Sequence, residues 1–264
     1  MLSVSHAARA TLPGSRPREY RPPKAESAAL LIHGYTGRPK DMIPLAEHLA
    51  DAGFAVSVPR LPGAGTDMDD LASTRRRDWR RRVYDAWLDL RSEFSRVHLV
   101  GYSMGGILAL DLASRVEPER IALLAPGMQT SHALLKFTPL LAPFAPILPE
   151  VPTGWVPRVE DDEETREHGR RYWSRRDVKS AAQLLRLQRE TRRRLRRVSA
   201  PVMAVVSRDD ASVPVSVLDF LDRRLPRGLG RRLVIEGCGH DVPQGTQKDR
   251  VAEAVASWLT EAAQ

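Results

Sequence analysis

The chain has a single cysteine, Cys238, few aromatic residues and no long apolar run. One cysteine excludes any intrachain disulfide and any zinc or iron–sulfur site built from cysteines, so stability must come from packing and a reducing compartment, the cytoplasm, is expected. No stretch approaches the ~18–20 uninterrupted apolar residues that a membrane-spanning helix needs. The first residues mix Arg9, Pro13, Gly14 and Arg16 without an apolar core or a small-residue cleavage site, which argues against a secretory leader. Aromatics are 6% of 264 residues, too sparse for the base-stacking platforms of single-strand binders. That scarcity weighs against nucleic acid as the partner behind the net charge of +8. The arginine runs at 75–77, 80–82 and 192–197 are read as solvated surface, with an anionic membrane surface touched by the cap as the alternative.

What is present is a 42% apolar content dealt out in short blocks. Ala28 to Ile32, Phe54 to Val58, Val97 to Val100, Arg120 to Leu124, Val202 to Val206 and Arg232 to Ile235 have the length and apolar character of strands buried on both faces. Between them, helical spacing runs through Ile43, Leu45 and Leu49 with Asp41 as cap, through Trp79, Val83, Trp87 and Leu90, through Met104 to Ser114, and through Val215 to Leu225; Val251 to Leu259 closes the chain. Strands alternating with helices predict an α/β, mostly parallel, doubly wound sheet whose chemistry lies at the carboxyl ends of the strands. Residues 1–26 are expected to be a poorly ordered arm. Residues 27–126 and 199–264 are expected to form the core. Residues 127–198, where the alternation stops, form an inserted cap whose apolar stretch from Leu134 to Leu148 would line a substrate tunnel.

The most informative motif is Gly101-Tyr102-Ser103-Met104-Gly105, between a strand and an apolar helix. A turn this tight strains its middle residue and leaves no room for Cβ atoms two positions either side, so Ser103 would be presented as a nucleophile. A serine hydroxyl needs a base, and that base an orienting acid. Among seven histidines, His240 sits in a glycine-flanked loop after the last strand, at the same sheet edge as Ser103. The others are surface or packing residues, with His33 holding its loop. The acid should follow the preceding strand, where Asp209 and Asp210 stand side by side; Asp210 is chosen and Asp209 left solvated. The order Ser103, Asp210, His240 is one of three that serine triads take. Oxyanion donors are expected from the backbone N–H groups of Met104 and Tyr35.

Taken together, Leu30 to Gly37, the loop Leu61-Pro62-Gly63-Ala64-Gly65-Thr66, Asp78-Trp79 and the motif at Ser103 resemble the small bacterial carboxylesterases and monoacylglycerol lipases of the α/β-hydrolase superfamily. The likeness spans roughly Ala28 to Pro126 and Pro201 to Trp258. It implies an α/β-hydrolase fold and hydrolysis of a small, lipid-derived or other carboxylic ester through an acyl-enzyme on Ser103, with no metal and no cofactor. Ser207, Cys238 and Asp241 depart from the family pattern, and Asp241 matters most: a second carboxylate beside His240 would either raise its basicity or compete with Asp210 for its ring. A thioesterase or a carbon–carbon bond hydrolase would use the same constellation, and a noncatalytic receptor would be expected to have lost part of it.

Overall fold

Aliphatic and β-branched runs ended by glycine or polar loops build a seven-stranded sheet in the computed structural model, which describes residues 11–131, 151–152, 159 and 161–261. The strands are β1 (Arg18–Tyr20), β2 (Ser27–Ile32), β3 (Ala55–Val58), β4 (Arg96–Tyr102), β5 (Ile121–Leu124), β8 (Val202–Ser207) and β9 (Arg231–Ile235). Their spatial order is β1-β3-β2-β4-β5-β8-β9. Every neighbour pair is parallel except β1 with β3. A separate ribbon pairs β6 (Val151–Pro152) with β7 (Arg175–Arg176). The helices are α1 (Ile43–Asp51), α2 (Met68–Ser73), α3 (Arg76–Glu93), α4 (Met104–Ala113), α5 (Glu163–Tyr172), α6 (Val178–Arg192), α7 (Val217–Arg224) and α8 (Lys248–Thr260).

Because side chains alternate across a strand, β2 feeds both layers of the core. Ala28, Leu30 and Ile32 pack with Trp79, Val83 and Leu90 of α3, Ile107 of α4 and Leu221 of α7. Ala29 and Leu31 pack on the other face with Leu45 and Leu49 of α1 and Val251, Val255 and Trp258 of α8. Helices on both faces bury β2, β4, β5 and β8 almost completely, which is why their sequences read as apolar runs rather than alternations.

Three details differ from the sequence expectation. Order begins well before Ser27: Leu12 donates its N–H to Gly65 O at 3.0 Å, Gly14 and Ser15 are buried, and β1 extends the sheet antiparallel to β3. Three residues are too few to carry a period, so the strand was invisible until its partner was placed. Helix α2 was also missed; it is six residues long and is capped by Asp67, whose carboxylate accepts the Asp70 N–H at 3.0 Å. Asp41 does not cap α1. It lies within the preceding 3-10 turn, Pro39–Met42, and caps that turn's start: its carboxylate accepts the Arg38 N–H at 2.8 Å.

Helices α5 and α6 cross the carboxyl edge of the sheet, and polar side chains dock them there. Arg38, almost fully buried, donates to Glu164 Oε1 at 2.6 Å and Thr165 Oγ1 at 2.9 Å. Tyr172 donates its hydroxyl to Gly63 O and accepts the Thr66 N–H. On α4, Asp111 accepts both arms of Arg80 at 2.9 and 3.0 Å, while Arg80 also reaches Glu190 of α6 at 2.6 Å. The apolar stretch from Leu134 to Leu148 lies outside the described residues. Among the described residues, no helix is long and apolar enough to cross a membrane.

Candidate active site

Ser103 stands between β4 and α4 with φ 54° and ψ −113°. A left-handed φ is costly for a residue with a Cβ, and the surroundings enforce it. The Ser103 N–H is held by Leu124 O at 2.9 Å. A Cβ on Gly101 would lie 2.4 Å from Gly105 O, and one on Gly105 would lie 1.9 Å from Ile32 O, so both glycines are steric requirements of the turn.

The loop after β9 brings His240 to Ser103, and the loop after β8 brings Asp210 to His240. Nε2 of the ring lies 3.0 Å from Ser103 Oγ, and Nδ1 lies 2.7 Å from Asp210 Oδ2. The other Asp210 oxygen accepts the N–H groups of Ser212 and Val213 at 2.7 and 3.0 Å. Its side chain is 0% exposed. A carboxylate fixed on Nδ1–H leaves Nε2 unprotonated, so the Ser103 hydroxyl donates to it; this is the arrangement that can remove the hydroxyl proton. Asp209 is exposed and accepts the Gly237 N–H instead.

Asp241 does not compete for the imidazole. The Tyr102 hydroxyl donates to its carboxylate, and the Tyr102 ring lies 5.3 Å from that of His240. Burial, then the charges of Asp241, Asp41 and Asp210, push the Tyr102 phenol well above its ordinary range. Partial burial pushes Asp41 up to about 6, with the charge of Asp241 adding to the rise.

The loop after β2 is fixed by two histidines. His33 donates from Nδ1 to Gly34 O at 2.9 Å and accepts the Leu61 N–H at Nε2, and burial lowers its pKa to about 4. Thr36 has a positive φ of 55°, and its carbonyl accepts a hydrogen bond at 2.8 Å from Nε2 of His168, on α5. Burial holds His168 neutral, with a pKa near 3. Between these anchors, the Tyr35 side chain shares a 2.6 Å hydrogen bond with Ser180 at the start of α6. Tyr35, Met104, Ser103 and His240 line one cavity of about 250 Å³, whose apolar wall includes Ile107, Leu184 and Val213.

A model of the alpha/beta hydrolase family matches residues 29–254. The chain belongs to that family. Within the alpha/beta hydrolases it is 31% identical over 196 residues to the thermostable monoacylglycerol lipase of Bacillus sp. (strain H-257), covering 73% of this chain and 74% of that one. It is 33% identical over 92 residues to a carboxylesterase of Bacillus subtilis (strain 168), covering 34% of this chain and 37% of that one. Among solved structures it resembles one from work on the metagenome-derived lipolytic enzymes LipS and LipT, at a TM-score of 0.81, 22% identity and coverage of 95% and 99%. It also resembles the monoacylglycerol lipase of Paleococcus ferrophilus, at a TM-score of 0.71, 17% identity and coverage of 92% and 97%. These two likenesses are of fold.

For this alpha/beta hydrolase the structure brings all five sequence-predicted positions, Ser103, Asp210, His240, Tyr35 and Met104, to one sheet edge. Sequence reasoning missed the contribution of the segment between β5 and β8: His168 on Thr36 O, Ser180 on Tyr35, and Gln188, which donates to Gly127 O at 2.6 Å. Each contact joins residues more than sixty positions apart and carries no local signature. Among the described residues, no group of three His, Cys, Asp or Glu side chains gathers as a metal ion would require.

Proposed function

We propose that this carboxylic ester hydrolase works through a covalent acyl-enzyme on Ser103, with His240 as general base and Asp210 as the acid that orients it. The reading is carried by one observation: a continuous hydrogen-bonded path from Ser103 Oγ through His240 to a fully buried Asp210, at 3.0 and 2.7 Å. In the first step, Ser103 Oγ attacks the ester carbonyl carbon as its proton passes to His240 Nε2. The N–H groups of Tyr35 and Met104 would receive the developing oxyanion. The tetrahedral intermediate collapses, the C–O bond to the alcohol breaks, and the imidazolium gives its proton to the leaving alkoxide. Water then repeats the sequence against the acyl-serine, with His240 taking the water proton and returning it to Ser103. The Asp210 carboxylate, held on Nδ1, stabilises the imidazolium as it forms.

A monoacylglycerol or another carboxylic ester suits the cavity, whose wall at Ile107, Leu184, Leu185 and Val213 is apolar while Gln129 and Thr130 are polar. In this reading 127–198 serves as a cap over the core formed by 27–126 and 199–264, and its arginines would meet an anionic lipid surface.

The test is release of p-nitrophenol from acyl esters of increasing chain length, together with labelling by a fluorophosphonate. Ser103→Ala is expected to lose both the label and at least about 10³-fold in kcat, with circular dichroism unchanged. Full activity in that variant, or no labelling of the wild type, would overturn the acyl-enzyme.

A further inference from the structure

Beside the cavity at Ser103 lies a second one of about 440 Å³, and the two share Gln129, Thr130, Leu185 and Gln188 in their walls. The second adds two arginines of α6, Arg189 and Arg192. Arg192 is half-buried. Its Nε and Nη2 donate to Met128 O, and its guanidinium lies 5.1 Å from the centre of the Phe220 ring, with Arg224 on the same ring at 5.6 Å. Three cations thus gather around one aromatic side chain and one cavity.

Nothing anionic among the described residues forms an ion pair with Arg192 or Arg224, although acids stand close by in sequence. Glu190 turns to Arg76 and Arg80, and Asp219 and Asp222 of α7 pair with Arg232. Two neutral side chains of the cavity wall are committed as well: Gln188 donates to Gly127 O, and Gln129 accepts the Ser216 hydroxyl at 2.9 Å. Burial and the like charges of Arg224 and Arg189 lower the Arg192 pKa. Such a cluster of like charges is unfavourable by itself and is offset by an anion, to which Nη1 of Arg192 can donate.

We infer that this second cavity receives a carboxylate or phosphate carried by the ester substrate, so that the enzyme selects esters with a negative charge remote from the scissile bond. The inference rests on the ester-hydrolase reading above. Both groups present two or three acceptor oxygens to guanidinium donors, and either the acyl chain or the alcohol could bear them.

Two matched pairs of substrates separate the sources. On the acyl side, p-nitrophenyl half-esters of linear dicarboxylic acids are compared with p-nitrophenyl esters of monocarboxylic acids of the same chain length. On the alcohol side, a monoacylglycerol phosphate is compared with the monoacylglycerol. In at least one pair, kcat/KM for the anionic member is expected to exceed that of the neutral one by about tenfold at low salt, and the ratio to fall as salt is raised. Arg192→Gln should bring the ratio close to one, and Arg189→Gln should lower it. Taking a ratio within each variant cancels any loss of folded protein. Neutral esters turned over with no anionic preference in either pair would overturn this inference alone, as would a preference that survives both substitutions combined. Absence of ester turnover altogether would instead remove the reading on which it rests.

Discussion

Ile32, Leu99, Val100 and Leu123 at the centre of the sheet are wholly buried among other hydrocarbon side chains. Helices α5 and α6, over the carboxyl edge of the same sheet, bury Tyr172, Ala182 and Leu187 as well, but add directed hydrogen bonds and ion pairs through Arg38, Tyr35, His168, Tyr172, Gln188 and Arg80. The first kind of contact is proportional to area and tolerant of small displacements. The second is lost when one partner moves by an ångström. The sheet centre is thus held by area alone, while the position of the surface facing it is fixed in addition by a few polar atoms, several of which touch the loops carrying Tyr35, Thr36 and Gly127.

The largest effect should follow from cutting into the sheet. Leu99→Ala is expected to cost about 3–5 kcal/mol, read as a fall in the urea midpoint for the whole chain. Asp111→Ala strikes the polar seam instead, leaving Arg80 with Glu190 alone; a cost of about 2–3 kcal/mol is expected, moderated because Arg115 and Arg194 can turn to water. Hydrogen exchange should rise more in α6 than in β4, and a uniform rise would break the comparison.

Acid should loosen both regions. His33 and His98 have pKa values near 4 and His168 near 3, all below 6.5, because burial disfavours the cation. The unfolded chain therefore binds protons that the native one refuses. The stability these groups contribute is complete above 6.5 and is lost as pH falls toward their native values. Asp41, raised to about 6, has the opposite sign between 3.8 and 6, and one carboxyl does not outweigh three imidazoles. The urea midpoint should accordingly fall as pH is lowered from 6.5 toward 4. His98→Leu should flatten that fall, since the buried ring meets Phe54 edge-on and, among the described residues, its Nδ1 has no hydrogen-bond partner. An unchanged slope would mean that His98 is not buried neutral. The smallest effect expected is from Tyr172→Phe, which removes the hydroxyl between Gly63 O and the Thr66 N–H; about 1 kcal/mol should be lost in the same denaturation measurement.

The same division governs what was legible in the sequence. Strands such as Ala28–Ile32 and helices such as the one carrying Trp79, Val83 and Leu90 announce themselves through apolar periodicity, and the glycines around Ser103 through the space they must leave empty. His240 and Asp210 could be chosen because topology fixes which loops follow which strands. Asp41 was misplaced because a side chain two residues before a helical pattern can serve the preceding turn rather than the helix. Strand β1, the His168–Thr36 contact and the Tyr35–Ser180 bond left no trace, since each depends on a partner far away in sequence.

The two edges of the sheet carry a further consequence, for self-association. A parallel sheet that ended on a long apolar strand would offer a row of unpaired backbone groups to the next molecule. Here one edge is the three-residue β1, bearing Arg18 and Glu19, and the other is β9, whose Arg231 and Arg232 are drawn into ion pairs with Glu261, Asp219 and Asp222. Any strand approaching either side must first displace charge, so the fold discourages edge-to-edge stacking into fibres at both ends.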